Sequence, residues 1–165
     1  MKLRFARIED VEHLVELGRQ IHAESRFAQM PYAQEKLRGN LRGLLKLQDE
    51  RQTHCFILAE NSEGEVIGIL IGALEEFFFS DAKSANSILL WVDPAYRGSP
   101  AALRLIGAFH DWARQRRAQE VCILVLSGVS IGKTDRFLRR LGFVQTGGNY
   151  RMPLLQDAST PDTSA

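Results

Sequence analysis

Two apolar runs, His54-Cys55-Phe56-Ile57-Leu58-Ala59-Glu60 and Glu65 to Leu74, flank the polar segment Asn61-Ser62-Glu63-Gly64. Runs of that length, joined by a short glycine-containing turn, fold back on each other, so the middle of the chain is committed to an antiparallel hairpin. A third run, Ser87-Ile88-Leu89-Leu90-Trp91-Val92, stops at Asp93-Pro94, because the residue before a proline is pushed toward extended backbone and breaks the pattern. Its unbroken apolar character fits a strand. The polar stretch Ser80 to Asn86 ahead of it reads as a loop.

Helical spacing surrounds these strands. After a short opening strand carrying Leu3, Phe5 and Ile8, residues Val11, Leu14, Val15, Gly18 and Ile21 recur on one stripe. Glu9 and Asp10 precede them, acids that suit the positive first turn of a helix. Phe27 to Pro31 interrupts the pattern, and Leu37, Leu41, Leu44 and Leu45 mark a second amphipathic helix. A third helix runs from Pro100 to about Arg117, with Ala102, Leu105, Ile106, Phe109 and Ala113 inward. Val121 to Leu126 reads as a strand buried on both faces, and a fourth helix covers about Gly132 to Leu141. Gly142-Phe143 ends it, and Gly147-Gly148 turns the chain into a last strand, Tyr150 to Leu155. The order β-α-α-β-β-β-α-β-α-β-β predicts one α/β domain over residues 1–155, helices layered on a central sheet. The polar tail from Gln156 to Ala165 is expected to be disordered.

Composition narrows the function classes. The 165 residues carry 21 basic and 20 acidic side chains, a balance that argues against a dedicated nucleic-acid binder. The longest apolar run, Val66 to Leu74, is well short of the roughly 20 residues a membrane-spanning helix needs. Met1-Lys2-Leu3-Arg4-Phe5 mixes charge into its apolar residues and offers no cleavage site, so a cytoplasmic location is expected. Cys55 and Cys122 each lie inside an apolar run, which suits reduced thiols, and the four histidines are scattered without metal-ligand spacing. Charge is nevertheless segregated: residues 97–140 hold nine basic and three acidic groups, whereas residues 1–96 are net negative. That split suits a polyanionic ligand beside a cationic one, or two solvated arginine-rich helix faces.

Two segments compete as a site. The first, Val92-Asp93-Pro94-Ala95-Tyr96-Arg97-Gly98-Ser99-Pro100-Ala101-Ala102, leads a strand through a short loop into a helix N-terminus. Free backbone N–H groups at the positive end of a helix are what a diphosphate needs, with Ser99 as N-cap, Pro100 at the first helical position and Gly98 clearing space. A plain capped helix start would use the same residues. The second, Ser127-Gly128-Val129-Ser130-Ile131-Gly132-Lys133-Thr134, ends in the Gly-Lys-Thr of a nucleotide-triphosphate P-loop but has Ser127 where glycine is required. Only 31 residues follow Thr134, too few for the later strands of such a domain.

The first segment, in this strand and helix order, resembles the GNAT superfamily of acetyl-CoA-dependent N-acetyltransferases. The matching pieces are Phe5-Ala6-Arg7-Ile8-Glu9-Asp10, the Ala59-Glu60 to Gly68 hairpin, Val92 to Ala102, and Leu141-Gly142-Phe143. The resemblance implies a mixed, mostly antiparallel sheet of about six to seven strands flanked by about four helices. It implies acetyl-CoA as donor cosubstrate, no metal, and a small-molecule or peptide amine as acceptor, with no nucleic acid or membrane partner and with a homodimer common in the family. The family pattern Arg/Gln-x-x-Gly-x-Gly/Ala falls on Arg97, Pro100 and Ala102, so proline stands where the middle glycine is usual. Proline removes a donor that a helix start cannot use internally, and the amides of Gly98, Ser99, Ala101 and Ala102 are expected to bind the pyrophosphate. By the same resemblance Leu90 and Val92 offer backbone groups to the pantetheine arm, and the Val92 N–H faces the thioester oxygen.

Direct attack by a neutral amine then requires a proton acceptor and a route for the departing thiolate. The tyrosine usual four residues before the Gly-Phe glycine is replaced by Leu138, and Tyr150 is the preferred substitute acid, with Ser127 or water as alternatives. Candidate bases are Glu24, Glu75, Glu76, Asp93 and His22, of which Glu24 and Glu76 are carried forward. Phe77-Phe78-Phe79 is placed as a wall of the acceptor pocket, with at least one ring expected in the core. Two other readings stay open: an acyl-CoA-binding or regulatory module with weakened catalysis, suggested by Pro100 and Leu138, and a P-loop-like nucleotide binder at Gly132-Lys133-Thr134.

Overall fold

The computed structural model describes residues 1–152 and 154. Five strands form one sheet in the order β1 (Lys2–Phe5), β2 (His54–Glu60), β3 (Val66–Phe77), β4 (Ser80–Val92), β5 (Glu120–Cys122). The first three pairings are antiparallel, and β4 with β5 is parallel. The helices are α1 (Val11–Glu24), α2 (Gln34–Lys46), α3 (Ala101–Gln115) and α4 (Ile131–Arg140). The chain divides into two compact units, Met1–Val129 with the sheet and α1 to α3, and a segment from Ser130 onward that contains α4.

One face of the sheet carries the core formed with α1 and α2: Val11, Leu14, Val15, Leu41 and Leu45 pack with Phe56, Leu58, Ile69, Ile71 and Trp91. On the other, α3 lies close enough that a methyl at Gly72 would stand 2.2 Å from the Phe109 ring, and one at Gly68 3.0 Å from Leu105. Two glycines inside an otherwise apolar strand are thus the space into which α3 seats. Phe109 is completely buried and stacks on Trp112 with centroids 5.8 Å apart.

The structure corrects four readings of the sequence. Ser80 to Asn86 is the first half of β4, not a loop: Lys83 to Asn86 pair with Glu76 to Ala73 and Ser80 with Phe77, across an irregularity at Asp81 and Ala82. Its backbone bonds come from the partner strand, which is indifferent to polar side chains. Phe77-Phe78-Phe79 sits at the tip of that ribbon; Phe78 and Phe79 are exposed and Phe77 is half-buried on Phe79, so none of the three is core. The strand at Val121 to Leu126 shrinks to Glu120–Cys122. Finally, residues 144–152 form no strand, leaving five strands among the described residues instead of six to seven; Pro153, Leu155 and the predicted tail lie outside them.

The edge strand β1 is anchored electrostatically. Arg4 donates to both Asp10 oxygens at 2.7 and 2.8 Å and, through Nε, to Glu60 at 2.6 Å. Asp10 also accepts the Arg7 N–H at 2.7 Å, so the acid placed before α1 closes the preceding turn rather than capping the helix. The Arg4 hydrogen bonds hold the Asp10 carboxyl below its ordinary range. A depressed carboxyl contributes stability above its unfolded value, near pH 4, and loses it as pH falls through the folded value. Asp10→Asn is therefore expected to lose about 1–2 kcal/mol at pH 7, a deficit that shrinks in urea denaturation at pH 3.

Candidate functional site

The parallel pairing of β5 with β4 covers only Ser84, Asn86 and the residue between them, Ala85. At that point β4 bulges: Gly72 stands opposite Ser87 and Ile71 opposite Leu89, so Ile88 is an extra residue. The next contact is no longer a ladder bond, because the Leu124 N–H donates to the Ser87 hydroxyl at 2.8 Å. This is why β5 ends early, and among the described residues it leaves the last third of β4 without a strand on that side. The Asp93 N–H donates to Ile67 O at 3.0 Å, which places residues 93, 91 and 89 in hydrogen-bonded pairs with β3. By alternation, the N–H and C=O groups of Leu90 and Val92 point to the opposite, open edge.

The chain leaving that edge builds a helix entrance. Asp93 Oδ1 accepts the Ala95 N–H at 2.8 Å, and Pro94–Tyr96 make one tight turn. Gly98 has φ +96° with open space around it, so glycine is needed there for backbone conformation. The helix starts one residue later than the spacing suggests: the Arg104 N–H donates to Pro100 O at 2.9 Å, and Ala101 is the first helical residue. Of the expected phosphate donors, Ser99 N–H is engaged by Tyr96 O at 3.1 Å and Ala101 N–H by the Ser99 hydroxyl at 3.3 Å. Among the described residues, the amides of Gly98, Ala102 and Leu103 have no hydrogen-bond partner. Leu103 is thus a donor that the motif did not reveal, since its side chain is that of an ordinary helix residue.

Arg97 ties this entrance to the helix on the other side of the chain. Its Nε donates to Val92 O at 3.1 Å and its Nη2 pairs with Glu24, the last residue of α1. Just beyond, the Arg26 N–H donates to Ser127 O at 2.8 Å and Arg26 Nε to Leu126 O at 2.7 Å, with the guanidinium 4.2 Å above the Phe27 ring. The end of α1 is therefore pinned both to the loop after β4 and to the chain after β5. Glu24, Arg97, Val92, Leu90 and Gly98 to Leu103 form one constellation within the first unit.

Glu76 does not join it. It is exposed and stands opposite Lys83, seven residues from Leu90 along β4, or roughly 20 Å at the rise of a strand. Tyr150 is fully exposed and belongs to the segment after Ser130. Leu138 is buried.

Sequence reasoning passed over a polar group just ahead of the bulge. The Ser84 hydroxyl lies 3.2 Å from Asn86 Oδ1 and 3.3 Å from Glu120 Oε1, Asn86 Nδ2 donates to Glu75 at 2.7 Å, and Cys122 Sγ is 3.6 Å from Glu120. Every second residue of Ser84-Ala85-Asn86 is polar, a strand signal hidden by reading the stretch as a loop. Burial, reinforced by Glu120, raises the Cys122 thiol, and burial pushes Cys55 up to about 12. Both therefore stay protonated at neutral pH, and neither is poised as a thiolate nucleophile. Among the described residues no three His, Cys, Asp or Glu side chains come together as a metal site, and no helix is long and apolar enough to cross a membrane.

The P-loop-like segment gains nothing from the fold. β5 ends at Cys122, so Ser127 to Thr134 does not follow a strand directly, and the Lys133 N–H is spent on Ser130 O at 2.9 Å.

Known proteins give the constellation a context. The chain is similar in structure to a probable acetyltransferase at 19% identity and TM-score 0.71, covering 95% of this chain and 100% of that one. It is similar to glucosamine-6-phosphate N-acetyltransferase from Arabidopsis thaliana at 15% identity and TM-score 0.71, covering 93% and 97%. It is also similar to ribosomal-protein-alanine N-acetyltransferase from Brucella melitensis biovar Abortus 2308 at 14% identity and TM-score 0.68, covering 93% and 100%. At these identities the likeness speaks to the fold alone. No curated protein matches at the level of sequence. The sequence profile of the acetyltransferase (GNAT) family matches residues 14–143, which include the open β4 edge and the entrance to α3, and the chain belongs to that family.

Proposed function

We propose that this protein transfers an acetyl group from acetyl-CoA to an amine by direct attack. The observation that carries the reading is the juxtaposition of an open strand edge, where Leu90 and Val92 present backbone groups, with a helix entrance presenting the amides of Gly98, Ala102 and Leu103. An extended amide-containing arm completes a strand edge as a further strand would, and a diphosphate is held by free amides at a helix start. Val92 N–H is our candidate for polarising the thioester oxygen. The amine nitrogen forms the new bond to the acetyl carbon as the carbon–sulfur bond breaks. The proton lost by the amine goes to a carboxylate, for which Glu24 is our candidate, and Tyr150 remains our candidate for protonating the thiolate.

The reading includes a cytoplasmic location, a homodimer, and a small-molecule or peptide acceptor. A second reading, a module that binds acyl-CoA without efficient turnover, is favoured by Leu138 in the place of the usual acid and by the engagement of Arg97 with Glu24. Thermal unfolding separates these from a nucleotide binder. A ligand at 100 times its Kd adds about 2.7 kcal/mol to stability, and the shift is expected with acetyl-CoA and not with ATP plus Mg²⁺. Release of free thiol on adding amines then distinguishes an enzyme from a binder, and a shift with ATP alone would overturn the proposal.

A further inference from the structure

We infer that Glu24 is an internal competitor for the cofactor's phosphates, holding Arg97 across the mouth of the open edge until the donor displaces it. This rests on the acetyl-CoA reading above. Arg97 stands two residues before Ser99 in the loop that enters α3, yet its guanidinium is turned back along β4. Nε donates to the Val92 carbonyl at 3.1 Å, and Nη2 pairs with Glu24. Val92 is one of the two residues whose backbone faces the open edge, so the guanidinium sits on an acceptor that an entering amide would use. Glu24 and Arg97 are partly exposed, with side chains 29% and 42% accessible, so water and counter-ions screen the pair and it can be exchanged at small cost.

A diphosphate offers the same guanidinium more negative charge and two-pronged acceptance, and its arrival at the Gly98, Ala102 and Leu103 amides brings that charge to the Arg97 loop. As the guanidinium turns to it, the Val92 carbonyl is freed. The Glu24 carboxylate opposes this as the partner that must be replaced. The alternative role for the same contact, that Glu24 positions Arg97 for the phosphates, predicts the opposite sign when Glu24 is changed, so the direction of one measurement decides between them.

The experiment is calorimetric titration of the full chain with acetyl-CoA for wild type, Glu24→Gln, Arg97→Gln and the double variant. Competition predicts that Glu24→Gln binds about three- to tenfold more tightly, that the gain shrinks as salt is raised, and that it vanishes when Arg97 is already glutamine. Weaker binding by Glu24→Gln would make Glu24 a positioning residue, and unchanged binding would make the pair incidental; either overturns the inference. A gain that persists in the Arg97→Gln background would show simple charge removal and would overturn it too. A second readout needs no donor: the Arg97 Nε–H resonance in ¹⁵N-arginine-labelled protein is expected to move in Glu24→Gln. If wild type fails to bind acetyl-CoA while that resonance moves, the acetyl-CoA reading has failed and the displacement inference falls with it, while the contact itself stands.

Discussion

Phe109→Ala is expected to lower the stability of this protein by about 3–5 kcal/mol, on the order of 10 °C in melting temperature for a chain of this size. Phe109 is completely buried and is the side chain that fills the space left by Gly72. Its loss removes transfer free energy and leaves a void where α3 meets the sheet. Gly72→Ala attacks the same contact from the other side. A methyl 2.2 Å from the ring forces α3 or the ring to move, at about 1–3 kcal/mol. The informative result is the double variant, because the added methyl enters the space the ring vacates. Urea denaturation should give a deficit smaller than the two single losses combined. Strict additivity would mean that α3 does not seat on Gly72.

Ala102→Glu is expected to abolish the acetyl-CoA response while leaving the unliganded protein as stable as wild type. Ala102 lies in the first turn of α3, where a carboxylate complements the helix dipole and costs the fold nothing. For a bound diphosphate it is a like charge beside the amides that hold it. Two unit charges about 5 Å apart at an effective dielectric near 20 repel by about 3 kcal/mol, more than a hundredfold in affinity. Ala102→Ser should retain the thermal shift, since it adds volume without charge. Undiminished binding by Ala102→Glu would move the donor away from the entrance of α3 and remove the main support for the proposed activity.

Much of the scaffold is legible in the sequence because it rests on local rules. Asn61-Ser62-Glu63-Gly64 turns one apolar run onto the next; Asn61 Oδ1 accepts the N–H groups of Glu63 and Glu65, and Gly64 takes φ +85°. The stripe Leu105, Ile106, Phe109 and Ala113 is buried along α3 as its spacing requires. Asp93-Pro94 ends β4 where the preceding-proline rule puts it. Such features need only a few consecutive residues to be decided.

The candidate site was readable only in outline. The strand-to-helix junction at Val92 to Ala102 announces itself, but which of its amides are free depends on whether Tyr96 and Ser99 use them first. The partnership of Glu24 with Arg97 joins residues 73 apart, and no periodicity connects them. In the sequence Glu76 and Glu24 are equivalent candidate bases; the ribbon that carries Glu76 away from Leu90 exists only because Ser80 to Asn86 finds a partner in β3.

By itself the sequence determined the order of elements as far as α4, the central hairpin and the helix that follows Asp93-Pro94, since turn chemistry and apolar period act over a few residues. The tertiary structure alone decided that β4 gains one residue at Ile88, that β5 pairs with only three of its residues, and that Leu90 and Val92 face an open edge. The physical reason is register: in a sheet a one-residue offset reverses which backbone groups face which neighbour, and register is fixed by the packing of all strands and helices together.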